Sequence, residues 1–447
     1  MNHCSTKAGR IARIVGGAVI AAVMAMSFFV TYKHRAMAIS DGENSVMDIS
    51  KTDISQSDTS SDAPAANEVA KARISVTGDV IGHDAILEAA KVSKDKYNFD
   101  FIYKHLAGYV SVSDYAVTNL ETTLGGSDYR GYPTFNSPDS LVDSIIGAGF
   151  DMLLTANNHA NDTGYKGMLR TAQVLKSKNV DFIGTVEDES DTRYLVREVN
   201  GIKLGMICYT YEGRARKNGQ KYLNGIMNNR SAAIINTFNV RNLDEFYTEL
   251  GGRIEAMKAD GAEAIVVFMH WGVEYELAPN GNQKKIAQKL CDMGVDVIVG
   301  GHPHVVQPME LLTAKTDSSH KTVCIYSIGN SISNQRKNFM KIKTGHTEDG
   351  VFISFTFSKY SDGKVILSDV HVIPTWVNLY RNSQTKKNVF EIIPLDQSVG
   401  DWGKAFSLDD AGIKDAEASY KRTMKIIGNG LKDSQDYCRG SADAMKK

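Results

Sequence analysis

The feature that most constrains the fold is a repeated alternation of short apolar runs with longer amphipathic segments. Five runs have the length and composition of buried strands, at residues 72–80, 114–121, 150–156, 262–271 and 295–304. Apolar residues at helical spacing predict helices from about Ser137, from about Tyr165 to Lys178, from Asn242 to Ala259 and from Asn282 to Met293. Strands that alternate with helices predict an α/β fold, in which helices cover a central sheet.

Two turn signals predict hairpins. Asn200-Gly201 separates YLVREV from IKLGMICYT, and Asn-Gly between two strand-like runs is a strong hairpin signal. Ser361-Asp362-Gly363 joins VFISFTFS to a second apolar run, VILSDVHVI. These late strand pairs predict a second, partly antiparallel sheet.

The N-terminal segment predicts export of the chain. Residues 14–32 carry no charge, follow a basic segment at 1–13, and at about 1.5 Å per residue span a hydrocarbon core of about 30 Å. We interpret them as a transmembrane signal-anchor that follows a cytoplasmic N-terminus. A cleaved signal peptide is the alternative, because Ala36-Met37-Ala38 resembles a cleavage site. Both interpretations predict an extracytoplasmic domain, and the first predicts a single-pass protein of the cell membrane.

Composition divides the exported part into three segments. Residues 33–70 are rich in Ser, Asp, Thr and Ala, which predicts a flexible linker because little apolar surface is available for burial. Residues 71–395 carry the alternating pattern and form one predicted domain. Residues 396–447 form a charged tail that we expect to be helical.

Charge and cysteine content exclude two classes of protein. The net charge of −1 argues against nucleic acid as a partner, since phosphate binding needs a basic surplus. The five cysteines are scattered and include no C-x-x-C pair, which excludes a disulfide framework and a zinc knuckle.

Polar residues follow one predicted strand after another. The set consists of Asp79, Glu121, Asn157, Asn158, His159, His270, His302 and His304. A lone histidine after a strand is more often a hydrogen-bonded surface residue, but ligands of α/β sheets gather beyond the carboxyl ends of strands. Mixed carboxylate, imidazole and amide oxygen ligands favour manganese, iron or zinc over calcium. The pattern therefore predicts a site for a divalent metal.

Six segments also carry a family resemblance over about residues 71–394. In order, they are TGDVIG, NLETTL, TANNHANDTG, FMHWGVEYE, VGGHPHVVQPMEL and YSIGNSI. The chain resembles the CapA-type poly-gamma-glutamate capsule biosynthesis proteins, which are similar in fold to calcineurin-like metallophosphatases. The resemblance implies a sandwich of two mixed β-sheets covered by helices, with one or two divalent ions.

The resemblance also implies roles for individual residues. It assigns Asp79 and His304 to one metal, Asn158, His270 and His302 to the second, and Glu121 to the bridging position. His159 would be the general acid or contact the transition state near the leaving group. Asn330, in the Gly329-Asn330 turn after a strand, could help to present an amide or backbone N–H groups to an anionic substrate, although a plain turn explains it equally well.

The chain departs from the metallophosphatase pattern at the first motif. Ile81 stands where Asp-x-His has its histidine, and His83 comes two residues later. We therefore expect between one and two equivalents of metal, bound less well below about pH 6, where histidines of ordinary pKa become protonated.

Two functions follow, and the sequence leaves open whether the chain is catalytic. The first is an exported metal-dependent hydrolase or transferase that acts on an anionic cell-surface polymer such as polyglutamate. The second is a non-catalytic component that binds or guides this polymer with other membrane components of a capsule synthesis and export assembly. A basic run (Arg214, Arg216, Lys217 and Lys221) could grip such a polymer, but a solvated loop is the simpler interpretation.

Overall fold

The computed structural model of the protein describes residues 66–225 and 227–446. The predicted cytoplasmic segment (1–13), the predicted anchor (14–32) and most of the predicted linker (33–70) lie outside the described residues. Within the described ranges, no helix combines the length and apolar character needed to cross a membrane.

Strands and helices alternate along most of the chain, as the sequence predicts. The strands are β1 (Glu68–Val80), β2 (Lys91–Ser93), β3 (Lys96–Tyr97), β4 (Tyr115–Leu120), β5 (Met152–Leu154), β6 (Asp181–Ile183), β7 (Leu195–Val199), β8 (Ile202–Tyr211), β9 (Thr237–Phe238), β10 (Ala264–His270), β11 (Val297–Gly301), β12 (Met309–Thr313), β13 (Lys321–Ile325), β14 (Asn330–Ile332), β15 (Asp349–Tyr360), β16 (Val365–Arg381) and β17 (Asn388–Pro394). The helices are α1 (Asp84–Ala90), α2 (Asp100–Tyr103), α3 (Ala107–Val110), α4 (Ser140–Gly147), α5 (Gly164–Ser177), α6 (Asn229–Ala233), α7 (Leu243–Ala259), α8 (Gly281–Asp292), α9 (Trp402–Phe406) and α10 (Asp410–Met445).

Two large sheets, both mixed, contain most of these strands. The first has the order β17-β16-β15-β1-β4-β5-β6, with β14 beside the end of β1. In this sheet β1, β4, β5 and β6 run parallel to one another. On the other side of β1, each of β15, β16 and β17 is antiparallel to the strand before it in the sheet. The second has the order β12-β13-β11-β10-β8-β7, with β9 beside β8. Its four central strands are parallel, and β7 and β12 are antiparallel edges.

The late hairpins belong to the first sheet, and the prediction that they form a separate one is wrong. β15 pairs antiparallel with β1 from Glu68 to Val76, on the side of β1 that β4 does not occupy. An unpaired edge of β1 would leave backbone groups without partners, and β15 supplies them. The parallel strands are instead divided between the two sheets.

The sheets pack face to face and the helices cover their outer faces. Val76 and Val117 of the first sheet share one buried cluster with Met206 and Phe268 of the second. Helices α1, α2 and α4 pack on the outside of the first sheet, and α7 and α8 on the outside of the second. The predicted α/β architecture with two mixed sheets and helical cover is confirmed.

Local predictions have mixed outcomes. The Asn200-Gly201 hairpin is confirmed, with φ of 48° and 82° at the two turn residues. The strand β1 begins at Glu68, so the expected boundary between linker and domain at 70/71 is too late. The helix expected from about Ser137 begins at Ser140, with Asp139 as its N-cap residue.

The C-terminal segment is helical and packs into the domain. Ile427 and Leu431 of α10 lie in the buried cluster that both sheets share. Gln435 of the same helix donates a hydrogen bond to Val370 O on β16. Residues 396–447 therefore do not behave as a separate tail over the part that the structure describes.

Candidate metal centre

The predicted ligands from both sheets converge at one place. Asp79 lies near the end of β1 and Glu121 follows β4, whereas His270 ends β10, and His302 and His304 follow β11. All five side chains are buried, with at most 3% of each residue exposed. Parallel strands bring their carboxyl ends to one edge of a sheet, and here the edges of the two sheets meet.

Glu121 connects the histidines within this cluster. Its Oε1 lies 3.5 Å from His270 Nε2 and 3.9 Å from His304 Nε2. His304 Nδ1 lies 3.4 Å from Asp79 Oδ2. The donor atoms of Glu121, His270 and His302 lie within 4.8 Å of one another, and so do those of Asp79, Glu121 and His304. The geometry therefore offers two donor groups that share Glu121.

Asn158 adds an amide oxygen to the first of these groups. Its Oδ1 lies 2.7 Å from His270 Nε2, and its Nδ2 donates to Asn224 Oδ1 at 3.4 Å. The second contact determines which end of the amide faces the histidines. Asn158 can thus supply an oxygen ligand, as the resemblance implies.

Glu121 shows most directly that these residues fit a cation. Among the described residues, neither carboxylate oxygen of Glu121 has a hydrogen-bond partner, and His302 Nδ1 has none either. Buried polar atoms are nearly always hydrogen-bonded or bound to an ion. Burial raises the pKa of Glu121 well above its ordinary value, and the neighbouring Asp79 charge adds to the effect. A divalent ion would satisfy these atoms, and the mixed donor set suits manganese, iron or zinc.

Asp79 is held in its ionised form. Burial acts to raise its pKa, but the hydrogen bond with His304 and the proximity of His270 outweigh burial and lower the pKa well below its ordinary value. Asn119 Nδ2 donates to Asp79 Oδ1 at 2.7 Å, and the His302 amide donates to Oδ2 at 3.1 Å. Asp79 is therefore available as an anionic ligand.

The imidazoles of His270 and His302 are held in their neutral form, which is the form that ligates metals. Burial lowers the pKa of His270 to about 3 and lowers that of His302 well below its ordinary value. Protonation of these two histidines near pH 6, which the pKa of a solvated histidine predicts, is therefore not expected. Weaker metal binding below about pH 6 stays a prediction.

Backbone geometry at the centre is also unusual. His302 and His304 have φ values of 93° and 56°, in the left-handed region that L residues seldom adopt. Such strain is maintained only where the surrounding structure requires it, and it concentrates at functional sites. Gly78 allows a second close approach, since a Cβ there would lie 1.8 Å from Gly329 O.

His159, the predicted catalytic residue, lies beside Asn158 with a carboxylate behind its ring. His159 Nδ1 is 2.7 Å from Asp162 Oδ2, and the same oxygen accepts a hydrogen bond from the Phe135 amide at 2.6 Å. The Phe135 ring packs edge-on against the imidazole, with centroids 4.6 Å apart. With Nδ1 directed at Asp162, Nε2 is the nitrogen available for proton transfer.

The first motif of the metallophosphatase pattern is altered in the structure as well. Ile81 is buried and offers no ligand atom. His83 Nδ1 accepts a hydrogen bond from the Asn334 amide at 3.1 Å. Within residues 66–225 and 227–446, His83 is in none of the groups of clustered metal-donor atoms. The site thus has fewer donors near Asp79 than the full motif would supply.

The side chain of Asn330, the predicted substrate contact, is buried and hydrogen-bonded within the protein. It is 1% exposed, and its Oδ1 lies 3.1 Å from His304 Nδ1. Its Nδ2 donates to Ser333 Oγ at 3.0 Å and to Thr347 O at 3.1 Å. The amide therefore orients His304 and is not presented to a ligand.

Sequence reasoning missed Glu274 as a further donor. Its carboxylate forms a third group with His302 and His304, again with donor atoms within 4.8 Å of one another, and its side chain is exposed. Glu274 lies four residues after His270, in the loop after β10. This position beyond the end of a strand is the sequence feature that could have identified it as a candidate ligand.

Two arginines of the basic run make contacts within the protein. Arg216 contacts the buried Glu212 through Nε at 2.8 Å and pairs with Glu245 at 2.7 Å. The Arg214 guanidinium lies over the Tyr222 ring, 4.4 Å from its centroid. The charge of Arg216 is therefore compensated within the protein.

Comparison with known proteins agrees with the motif resemblance. The sequence model of the family described as "Bacterial capsule synthesis protein PGA_cap" matches residues 73–335. The chain belongs to this family. The resemblance to CapA-type proteins is thus confirmed.

Three relatives illustrate the range of similarity. "Capsule biosynthesis protein CapA" of Bacillus anthracis is 26% identical over 59% of this chain and 60% of its own length, which is less than two thirds. "PGA biosynthesis protein CapA" of Bacillus subtilis (strain 168) is 27% identical over 63% of this chain and 67% of that protein. The "Probable polyglutamine synthesis accessory protein Rv0574c" of Mycobacterium tuberculosis is 24% identical over 46% of this chain and 53% of that protein.

One solved structure is also similar. It is described as "Termus thermophilus Sulfate thiohydrolase SoxB in complex with glycerol", with a TM-score of 0.36 and 12% identity, covering 79% of this chain and 60% of that chain.

Proposed function

We propose that this PGA_cap family member is a metal-dependent hydrolase or transferase that acts on polyglutamate, an anionic cell-surface polymer, during capsule synthesis. The observation that carries the proposal is the buried carboxylate of Glu121, whose oxygens have no hydrogen-bond partner among the described residues. It lies between His270 and His304, in a cluster that also contains His302. A buried carboxylate without a compensating partner indicates a bound cation.

Named residues would hold one or two divalent ions. Asp79 and His304 would hold one, Asn158, His270 and His302 the other, and Glu121 would bridge them. A divalent ion bound here would lower the pKa of a water molecule and polarise a carbonyl or phosphoryl oxygen. The altered first motif, with Ile81 in place of a histidine, favours weaker occupancy at the Asp79 position.

His159 would transfer the proton in this reaction. Its Nε2 would donate a proton to the leaving group, which is an amine nitrogen when a γ-amide bond breaks. Asp162 holds the ring through Nδ1 and stabilises the protonated imidazole before transfer. The curated relatives' names refer to PGA and polyglutamine synthesis, which supports a glutamyl polymer as substrate.

Replacement of His159 tests catalysis. We expect His159→Ala cells to make polymer of altered chain length or reduced surface attachment, while metal content of the purified protein stays unchanged. His371→Ala, an exposed histidine on β16, is the control and should behave as the parent. Polymer that matches the parent in amount and length would refute the catalytic role.

A binding role is the second candidate, and the altered first motif favours it. In that case the pocket would hold nascent polymer as part of a membrane assembly for synthesis and export, and the metal would be structural. His159→Ala would then leave the polymer unchanged, whereas His302→Ala would abolish both metal and surface polymer.

The proposal includes an extracytoplasmic location at the cell membrane. The uncharged run at residues 14–32 and the polar segment after it support an anchor followed by a tether. Protease added to intact, wall-stripped cells should release a soluble fragment that begins within residues 33–66. A domain that resists protease until the membrane is broken would contradict this topology.

A further inference from the structure

A groove runs from the metal centre along the second sheet. Its volume is about 470 Å³, and its lining includes Tyr211, Arg241, Trp271, Glu274 and His302. Glu274 and His302 also belong to a group of candidate metal donors. If one unit of a polymer is held at the metal centre, the neighbouring unit would therefore lie in this groove.

The charged side chains along the groove differ in whether other residues of the protein balance their charge. Glu212 is buried, and its carboxylate accepts hydrogen bonds from Arg216, Thr237 Oγ1 at 3.0 Å and Asn239 Nδ2 at 3.1 Å. Its negative charge is thus balanced within the wall. Glu274 would be balanced by the cation that it helps to hold.

Arg241 is the charge that the protein does not compensate. Its guanidinium has no ion pair and no side-chain hydrogen bond with any residue in the described part of the chain. Gln283, a neutral polar residue of the groove wall, is satisfied within the protein: its Oε1 accepts from the Asn280 amide at 2.9 Å and its Nε2 donates to Gln307 at 2.8 Å. Arg241 therefore presents to the groove a positive charge that is unpaired within the described structure.

We propose that this groove is a subsite for the glutamyl unit next to the reacting bond, and that Arg241 recognises its α-carboxylate. The proposal rests on the proposed function. A γ-linked glutamate polymer carries one free α-carboxylate per unit, so the unit beside the metal centre presents a carboxylate to the groove. The planar guanidinium can bind a carboxylate through two parallel hydrogen bonds, which a lysine cannot do.

The test measures binding of two probes to the metal-loaded full-length protein by calorimetry. The first is a short γ-linked glutamate oligomer, and the second is the same oligomer with its α-carboxylates converted to amides. We expect Arg241→Gln to weaken binding of the first probe by roughly tenfold or more, the usual effect of losing one hydrogen bond to a charged group. Arg241→Lys should recover part of the affinity. Binding of the amide probe should be weak and unaffected by either change.

Matched controls separate this subsite from the metal centre. Arg381→Gln removes an exposed arginine that lines a different cavity and should bind both probes as the parent does. Metal content of Arg241→Gln should equal that of the parent, because Arg241 is not a donor. A lower metal content would reveal a structural effect and refute the assignment.

Three outcomes overturn the proposal in different ways. If the parent binds the glutamate oligomer and Arg241→Gln binds it equally well, the subsite is wrong and the proposed function stands. If the metal-loaded parent binds neither probe, the glutamyl substrate fails together with the subsite. If a polyglycerol phosphate binds more tightly than the glutamate oligomer, and this binding depends on Arg241, the polymer that the groove recognises is a phosphate polymer and not a carboxylate polymer.

Discussion

Replacing Glu121 with glutamine should reverse the order of stability between parent and variant when metal is added. Without metal, the parent buries a carboxylate that has no hydrogen-bond partner in the described structure, and burial raises its pKa well above 4.5. Glu121→Gln keeps the shape but removes the charge. With metal, the same carboxylate becomes a ligand, and the variant loses it.

The magnitude without metal depends on pH. A glutamate whose folded pKa is raised costs no stability below pH 4.5, where it is protonated in both the folded and unfolded states. As pH rises from there toward the folded pKa, the unfolded state releases the proton first, so the parent loses about 1.4 kcal/mol per pH unit through this group. The advantage of Glu121→Gln in chelator should therefore grow with pH over this window.

The magnitude with metal follows from mass action. An ion at one hundred times its Kd stabilises the folded state by about 2.7 kcal/mol. For a domain of this size, each kcal/mol moves Tm by about 1–2 °C, so the parent should gain about 3–5 °C. Glu121→Gln should gain much less. Near pH 5.5, where the parent has lost only about 1.4 kcal/mol through Glu121, the gain from metal places the parent above the variant.

Calorimetry of both proteins in chelator and in manganese measures all four Tm values. Glu391→Gln is the matched control, because Glu391 is also buried but contacts His105, Lys104 and Tyr380. It should lower Tm by the same amount with and without metal. The reasoning fails if Glu121→Gln is less stable than the parent in chelator at neutral pH, or if no divalent ion raises the Tm of the parent.

Three further predictions concern individual histidines. His302→Ala should lose at least one equivalent of metal by elemental analysis, whereas exposed His371→Ala should lose none; equal contents would remove His302 from the ligands. His83→Ala should leave the metal content unchanged, because its Nδ1 accepts the Asn334 amide; a fall by one equivalent would make His83 a ligand. Because burial lowers the pKa of His270 to about 3, this imidazole should stay neutral between pH 7 and pH 5 in the protein held in chelator, as measured by NMR titration of its ring. Protonation of His270 already near pH 6 would contradict that environment.

The sequence by itself determined the elements and the approximate place of the site. Strand and helix patterns depend on neighbouring residues, so the Asn200-Gly201 hairpin and the helices α5, α7 and α8 follow from local spacing. Asp79 and His270 were identifiable as candidate ligands because the end of a parallel strand is a defined position in any α/β sheet.

Tertiary structure alone decided which strands belong to each of the two sheets and which candidate ligands come together at the site. The pairing of β15 with β1 joins residues nearly three hundred positions apart, and no local pattern specifies such a partner. The contact of Glu121 from the first sheet with His270 from the second arises only when the sheets pack. The same packing turned Asn330 toward His304 and kept His83 out of the donor groups. Burial depends on the complete set of neighbours, and it is burial that holds His270 and His302 neutral and leaves the Glu121 carboxylate without a hydrogen-bond partner among the described residues.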